Sequence, residues 1–148
     1  MGYVEDLREK IGHQPLILVG VAVLIRNSNG QLLMTQKPSG DWSLPGGLME
    51  LGESAEETGR REVREETGLR LGSLALYDVI SGRDQYRKLA NGDEFYGVTI
   101  LLDAGDIGDV QAEADGCEAI TLRYFALDKL PSRMNPRIRE AIQGQIGR

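Results

Sequence analysis

Apolar positions along the chain fall into strand-like runs and helix-like spacings. LILVGVAVLIRN, at 16–27, is a β-branched apolar run well short of the roughly 20 residues of a membrane span, and it reads as a central strand. Asn29-Gly30 suits a tight hairpin, so QLLMTQK at 31–37 should pair with that strand antiparallel. LGSLALYDVI (71–80), EFYGVTILLDA (94–104) and AITLRYFALD (119–128) carry three further strands. Within SLPGG, Pro45, Gly46 and Gly47 are expected to break regular structure and let the backbone approach something closely.

Two segments have helical spacing. In the middle of the chain Ser54 is an N-cap with Glu57 three residues on, the capping-box pattern, and Gly68 is placed to end the helix in a left-handed conformation. Glu56 with Arg60, and Glu57 with Arg61, have the favourable i to i+4 order. NPRIREAIQGQI, at 135–146, reads as a closing helix with Ile138, Ala141 and Ile142 on one face. Many strands with one central and one closing helix imply an α+β layered domain. The expectation is a single domain over 1–148, with 1–14 as an N-terminal extension.

The middle helix does not bury a conventional apolar stripe. At about 100° per residue, Ala55, Thr58, Gly59, Glu62, Val63, Glu65 and Glu66 share one side. Glu56, Glu57, Arg60, Arg64 and Thr67 take the other. The small residues that permit close docking therefore sit with three carboxylates. Like charges at such spacing cost roughly 0.2 to 0.5 kcal/mol per exposed pair, and more when drawn into a cleft. A solvated acidic face fits this pattern, and so does a site for a hard divalent cation bound through oxygen.

Composition narrows the partners. With 23 acidic against 17 basic residues the net charge is −6, which repels a nucleic-acid polymer. A small anionic substrate remains compatible if divalent cations separate it from the acidic groups. No apolar run is long enough for a membrane span, and MGYVEDLREKIGH lacks the features of a signal peptide, so the expected location is the cytoplasm. The one cysteine, Cys117, cannot form an internal disulfide, and the one histidine, His13, is assigned a structural role.

From Gly47 the chain reads GLMELGESAEETGRREVREETGL, which resembles the Nudix box without a mismatch. Its fixed positions are Gly47, Glu53, Arg61, Glu62, Val63, Glu65, Glu66, Gly68 and Leu69, and the preceding LPGG is also usual in that family. The resemblance implies a Nudix-like α/β/α sandwich with a mixed central sheet, the loop-helix-loop of the box and a C-terminal helix. It further implies Mg²⁺- or Mn²⁺-dependent hydrolysis of a pyrophosphate bond in a nucleoside diphosphate joined to another group. Glu62, Glu65 and Glu66 would be the metal ligands, with Glu53 a further ligand or an outer contact. Arg61 would orient Glu53 or its neighbours, and Gly46 and Gly47 would bring backbone close to the metal. Glu118 or Glu113, in QAEADGCEAI, would be the general base.

Substrate choice lies outside the box. A nucleoside triphosphate or related nucleotide is the first expectation, with dinucleoside polyphosphates, ADP-ribose and nucleotide sugars as alternatives. Tyr86 stands 17 residues after Leu69, roughly where diadenosine polyphosphate hydrolases of the family have a tyrosine. No proline occurs between residues 46 and 130, which lowers ADP-ribose, whose hydrolases carry one near the position of Gln85. Trp42, Tyr86 and Phe95 could stack on a base, but hydrophobic packing is the favoured role for each, and packing also explains Tyr77 and Tyr96. A noncatalytic nucleotide sensor is the competing class, set against an intact box. Homodimers are frequent among the proteins the chain resembles.

Overall fold

The computed structural model describes residues 2–108, 112–114, 116 and 121–146. The central strand is present as β1, Leu16–Arg26, and the Asn29-Gly30 turn leads into β2, Leu32–Gln36, paired antiparallel with Leu32 opposite Arg26. Short β3 (Trp42–Ser43) adds to β2, and β4 (Gly46–Leu48) pairs with β1. The expected break at Gly46 and Gly47 is therefore corrected. Extended backbone there pairs with β1, with Val21 opposite Gly47 and Ala22 opposite Gly46, while the Gly46 N–H donates to Glu66 Oε2.

The rest of the sheet forms around β7, Glu94–Asp106, which lies parallel to β1 from Leu16 opposite Phe95 onward. Antiparallel neighbours β5 (Ala75–Ile80) and β6 (Tyr86–Lys88) pair with β7, and β8 (Thr121–Phe125) pairs with β2. Among the described residues the result is a mixed eight-stranded sheet in which β1 and β7 are the central pair. The sequence expectation of a strand at 119–128 is met at 121–125, and residues 119 and 120 lie outside the described residues.

Alternating side chains of β1 feed two cores, because successive Cβ atoms point to opposite faces. Val21, Val23 and Ile25 pack with Leu33, Leu102 and Val63, the last from helix α2, Ala55–Thr67. Ala22 and Leu24 pack with Leu32, Met34, Leu101 and Ile142, the last from helix α3, Pro136–Ile146. Helices thus cover both sides of the sheet in an α/β/α sandwich, and Ile138, Ala141 and Ile142 do share the inward face of α3.

Besides the short strands β3, β4 and β6, an α-helix was not expected from the sequence. Tyr3–Ile11 forms a further helix, α1, inside the expected extension. It buries no residue fully, and its N-cap Gly2 offers no side-chain cap, so the usual local signals are missing. Long-range polar bonds hold it instead, with Tyr3 N–H donating to Glu50 Oε1 at 2.9 Å and Arg8 Nη2 to the Glu94 carbonyl at 2.6 Å. Among the described residues no helix is long and apolar enough to cross a membrane.

Candidate active site

The acidic helix begins as its sequence prescribes. Glu57 N–H donates to Ser54 Oγ at 3.1 Å, Ser54 N–H donates to Glu57 Oε1 at 3.0 Å, and Gly68 ends the helix at φ 76°. Close docking follows from Gly59, where an added Cβ would stand 3.2 Å from Val23 Cγ2 and 3.4 Å from Val21 Cγ1. Val63 is fully buried beside them, a side chain whose burial contributes about 1.5 to 3 kcal/mol. Thr67, assigned to the outer side, is in fact buried at the helix end. Its hydroxyl donates to the Val63 carbonyl at 2.7 Å and accepts from Leu69 N–H at 3.2 Å, which satisfies it inside.

This docking carries the carboxylates onto β4. Glu66 is 2 % exposed, and its Oε2 accepts Gly46 N–H at 3.1 Å. The Glu62 carboxylate covers Gly47, where a Cβ would lie 2.6 Å from both of its oxygens. At Gly46 an added Cβ would meet the β1 backbone, with Ala22 Cα at 2.8 Å. Close approach of backbone thus requires glycine at 46, whereas at 47 glycine makes room for the movable Glu62 carboxylate. Glu65 differs, since its side chain is 59 % exposed although the wheel placed it inward.

Arg61 organises the acidic groups. Its Nε and Nη2 donate to Glu53 Oε2 and Oε1 at 2.6 and 2.9 Å, Nη1 donates to Glu62 Oε1 at 2.8 Å, and Nη2 also reaches the Leu48 carbonyl at 3.2 Å. Glu65 Oε2 is 3.5 Å from Nη1. The expected Glu57–Arg61 pair is corrected, because Glu57 is committed to the capping box and Arg61 to Glu53. Glu53 also accepts Glu50 N–H and Thr58 Oγ1–H, each at 2.9 Å. Chiefly through the Arg61 hydrogen bonds, and despite burial, its carboxyl is held down at about 2. Its bonds to Glu53 foremost, and to Glu62, raise the already high Arg61 pKa further despite burial. One guanidinium therefore offsets part of the repulsion built into this helix.

Residues 16–145 match the NUDIX domain family. The chain belongs to the Nudix hydrolase family. It is 34 % identical over 124 residues to a putative 8-oxo-dGTP diphosphatase of Bacillus subtilis, covering 83 % of this chain and 76 % of that protein. It is also 34 % identical over 116 residues to an ADP-ribose pyrophosphatase of Methanocaldococcus jannaschii. That match covers 76 % of this chain and 64 % of the relative, so the chain spans under two thirds of it. Its fold resembles the crystal structure of a MutT protein from Methanosarcina mazei, with TM-score 0.73, 23 % identity and coverage of 88 % and 94 % of the two chains. A MutT Nudix hydrolase from Burkholderia pseudomallei gives TM-score 0.66 and 29 % identity over 88 % and 97 %.

The Nudix box supplies an all-oxygen donor set, the kind preferred by Mg²⁺ and Mn²⁺. The Cβ-free backbone at Gly47 beneath Glu62 gives that set a cradle that any other residue would fill. Among the described residues no three acidic, histidine or cysteine side chains converge as a preformed cation cage. In the present arrangement Arg61 occupies a Glu62 oxygen. The residues fit a divalent cation in chemistry and in backbone clearance.

Other expected site residues are dispersed. Glu113 is exposed, and its N–H donates to the Thr67 carbonyl at 3.0 Å, which brings its backbone to the C-terminal end of α2. Glu118 and Cys117 lie outside the described residues. Tyr86 is on β6, where its hydroxyl donates to Glu94 Oε1 and its ring lies 5.4 Å from that of Tyr96. Trp42 packs edge-on against Phe125 at 4.9 Å in the α3-side core, and Gln85 is buried and accepts from Asn135 Nδ2 at 2.8 Å. His13 Nδ1 contacts Asp93 Oδ1 at 2.6 Å on an exposed surface. Thr58 went unassigned in the sequence reading, although a polar residue on the inward side of α2 was the signal that marks it.

Proposed function

We propose that this Nudix hydrolase cleaves a phosphoanhydride bond in a nucleoside diphosphate joined to a further group, with a nucleoside triphosphate as the leading substrate. The observation that carries the proposal is the linked set Glu53–Arg61–Glu62, with Glu62 laid over Gly47 and Glu66 bonded to Gly46. Similarity to a protein named as a diphosphatase of 8-oxo-dGTP supports the triphosphate, and similarity to an ADP-ribose pyrophosphatase keeps that alternative.

In this reading Glu62, Glu65 and Glu66 hold Mg²⁺ or Mn²⁺. Bound there, such an ion would supply charge neutralisation at the phosphate and a more acidic water. Arg61 acts as a positioning residue, fixing the Glu62 carboxylate over β4 while Glu53 fixes Arg61. Gly46 lets β4 lie close on β1, and Gly47 leaves room for the Glu62 carboxylate over the strand. Water forms the new P–O bond as the anhydride P–O bond breaks and its electron pair leaves with the departing phosphate. Glu113 or Glu118 takes the water's proton.

The proposal is tested with nucleoside triphosphates, dinucleoside polyphosphates, ADP-ribose and nucleotide sugars, each assayed with Mg²⁺ and with Mn²⁺ for released phosphate, pyrophosphate or nucleotide. Metal-dependent release from a nucleotide is expected. A panel without turnover contradicts catalysis and favours a nucleotide-binding module.

A further inference from the structure

A cavity of about 320 Å³ opens beside the box, between α1, the start of β1 and the loop that precedes α2. Its walls are largely apolar, with Tyr3, Ile17, Val19 and Leu51 among them, and Glu50 and Glu53 supply carboxylates. Two of these apolar residues are displayed rather than packed: Ile17 is 74 % exposed and Leu51 78 %. Ile17 and Val19 continue the same side of β1 whose later members, Val21 and Val23, are covered by α2. The helix therefore stops short of this end of the sheet, and an apolar surface is left beside an acidic site.

We infer that this cavity is a nucleoside subsite, taking a nucleobase that carries an exocyclic amino group. The inference rests on the hydrolase reading above and names which part of the substrate lies where. Its volume sits at the lower end of small-ligand pockets, enough for one nucleoside and too small for two. Among the described residues the lining holds Glu50 and the Arg61-paired Glu53 and no lysine, arginine or histidine, so a second phosphate or a sugar phosphate is repelled by Glu50 and meets no lining cation. A flat, neutral base is not repelled, and it would cover Ile17 and Leu51. Glu50 Oε1 already accepts Tyr3 N–H, and a carboxylate has about four acceptor positions in all, so it can also accept from a base amino group. Two lining residues connect the cavity to the proposed phosphate site, because Leu48 O and Glu53 are both bonded to Arg61. One ligand can thus place its base in the cavity and its anhydride at β4.

The test is a titration of the ¹⁵N-labelled full chain, without divalent metal, with adenosine, guanosine, cytidine and uridine, and with ribose 5-phosphate as control. Saturable shifts are expected at Ile17, Val19, Leu51 and Gly52 with the three amino-bearing nucleosides, weaker ones with uridine, and none with ribose 5-phosphate. Ile17→Glu and Leu51→Glu, both at exposed positions, should weaken nucleoside binding at least about tenfold by adding charge to the apolar wall. No shifts at these residues, shifts confined elsewhere, equal effects of ribose 5-phosphate or uridine, or variants that bind like the wild type would each overturn the subsite. Because the titration needs neither metal nor turnover, a protein that fails to hydrolyse nucleotides leaves this result standing. A protein that hydrolyses them without these shifts loses only the cavity's role.

Discussion

Arg61 grips Glu53 through two hydrogen bonds, Nε to Oε2 at 2.6 Å and Nη2 to Oε1 at 2.9 Å. A planar guanidinium meeting a carboxylate in this way fixes orientation as well as charge, which lysine at the same position cannot reproduce. The pair spans the loop before α2 and the middle of the helix, so the geometry of the acidic cluster depends on it.

That pair has a pH signature. Glu53 titrates at about 2 in the folded protein against an ordinary 4.5. Since the folded value is the lower one, unfolding takes up a proton as the solution is acidified, and the pair's contribution is complete above 4.5 and lost as pH falls toward 2. Urea denaturation at about pH 6 and about pH 3 should therefore show a larger stability loss in the wild type than in Glu53→Gln. Equal losses would contradict the role given to this carboxylate.

The two glycines of β4 should fail differently. Gly46→Ala drives a methyl against the β1 backbone, so destabilisation of about 1 to 3 kcal/mol or more is expected in denaturant melts. The atoms nearest a methyl at Gly47→Ala all belong to the Glu62 side chain, which can swing aside. Its stability should change less, while turnover falls at least about tenfold as Glu62 is displaced from the reacting geometry. A Gly47→Ala protein with full turnover would show that the Glu62 position over β4 is unimportant.

Ser54→Ala removes one half of the reciprocal cap and leaves Glu57 N–H without its partner. A loss of about 0.5 to 2 kcal/mol in thermal or chemical melts is expected. An unchanged midpoint would mean that docking of Val63 and Gly59 alone fixes the start of α2.

Glu65→Gln isolates chemistry from folding. Its side chain is 59 % exposed and only 3.5 Å contact links it to Arg61, so the melting midpoint should stay close to wild type. Turnover on a confirmed nucleotide should fall at least about a hundredfold if the carboxylate helps hold the catalytic ion. Retained turnover would remove Glu65 from the ligand set.

Much of this was legible because the signals are local. The capping box, the left-handed Gly68, the Asn29-Gly30 hairpin and the run that became β1 each specify their own backbone. What was not legible depends on partners distant in sequence. Helix α1 is held by Glu50 and Glu94, and β4 exists because β1 offers Gly46 and Gly47 a pairing edge. Arg61 faced a choice between Glu57 and Glu53 that spacing alone resolves wrongly, since the capping box claims Glu57. Thr67 shows the same limit. A hydroxyl that bonds back to its own helix can be buried on a side that polarity alone assigns to solvent.

The most direct test is a crystal structure of the protein with Mn²⁺ and a hydrolysis-resistant nucleotide, with the ion located by its anomalous signal. The account predicts a peak within about 2.0 to 2.6 Å of carboxylate oxygens from Glu62, Glu65 and Glu66, in contact with the phosphate chain beside Gly46 and Gly47. A bound nucleotide with its phosphates elsewhere, or an ion absent from these three glutamates, would contradict it.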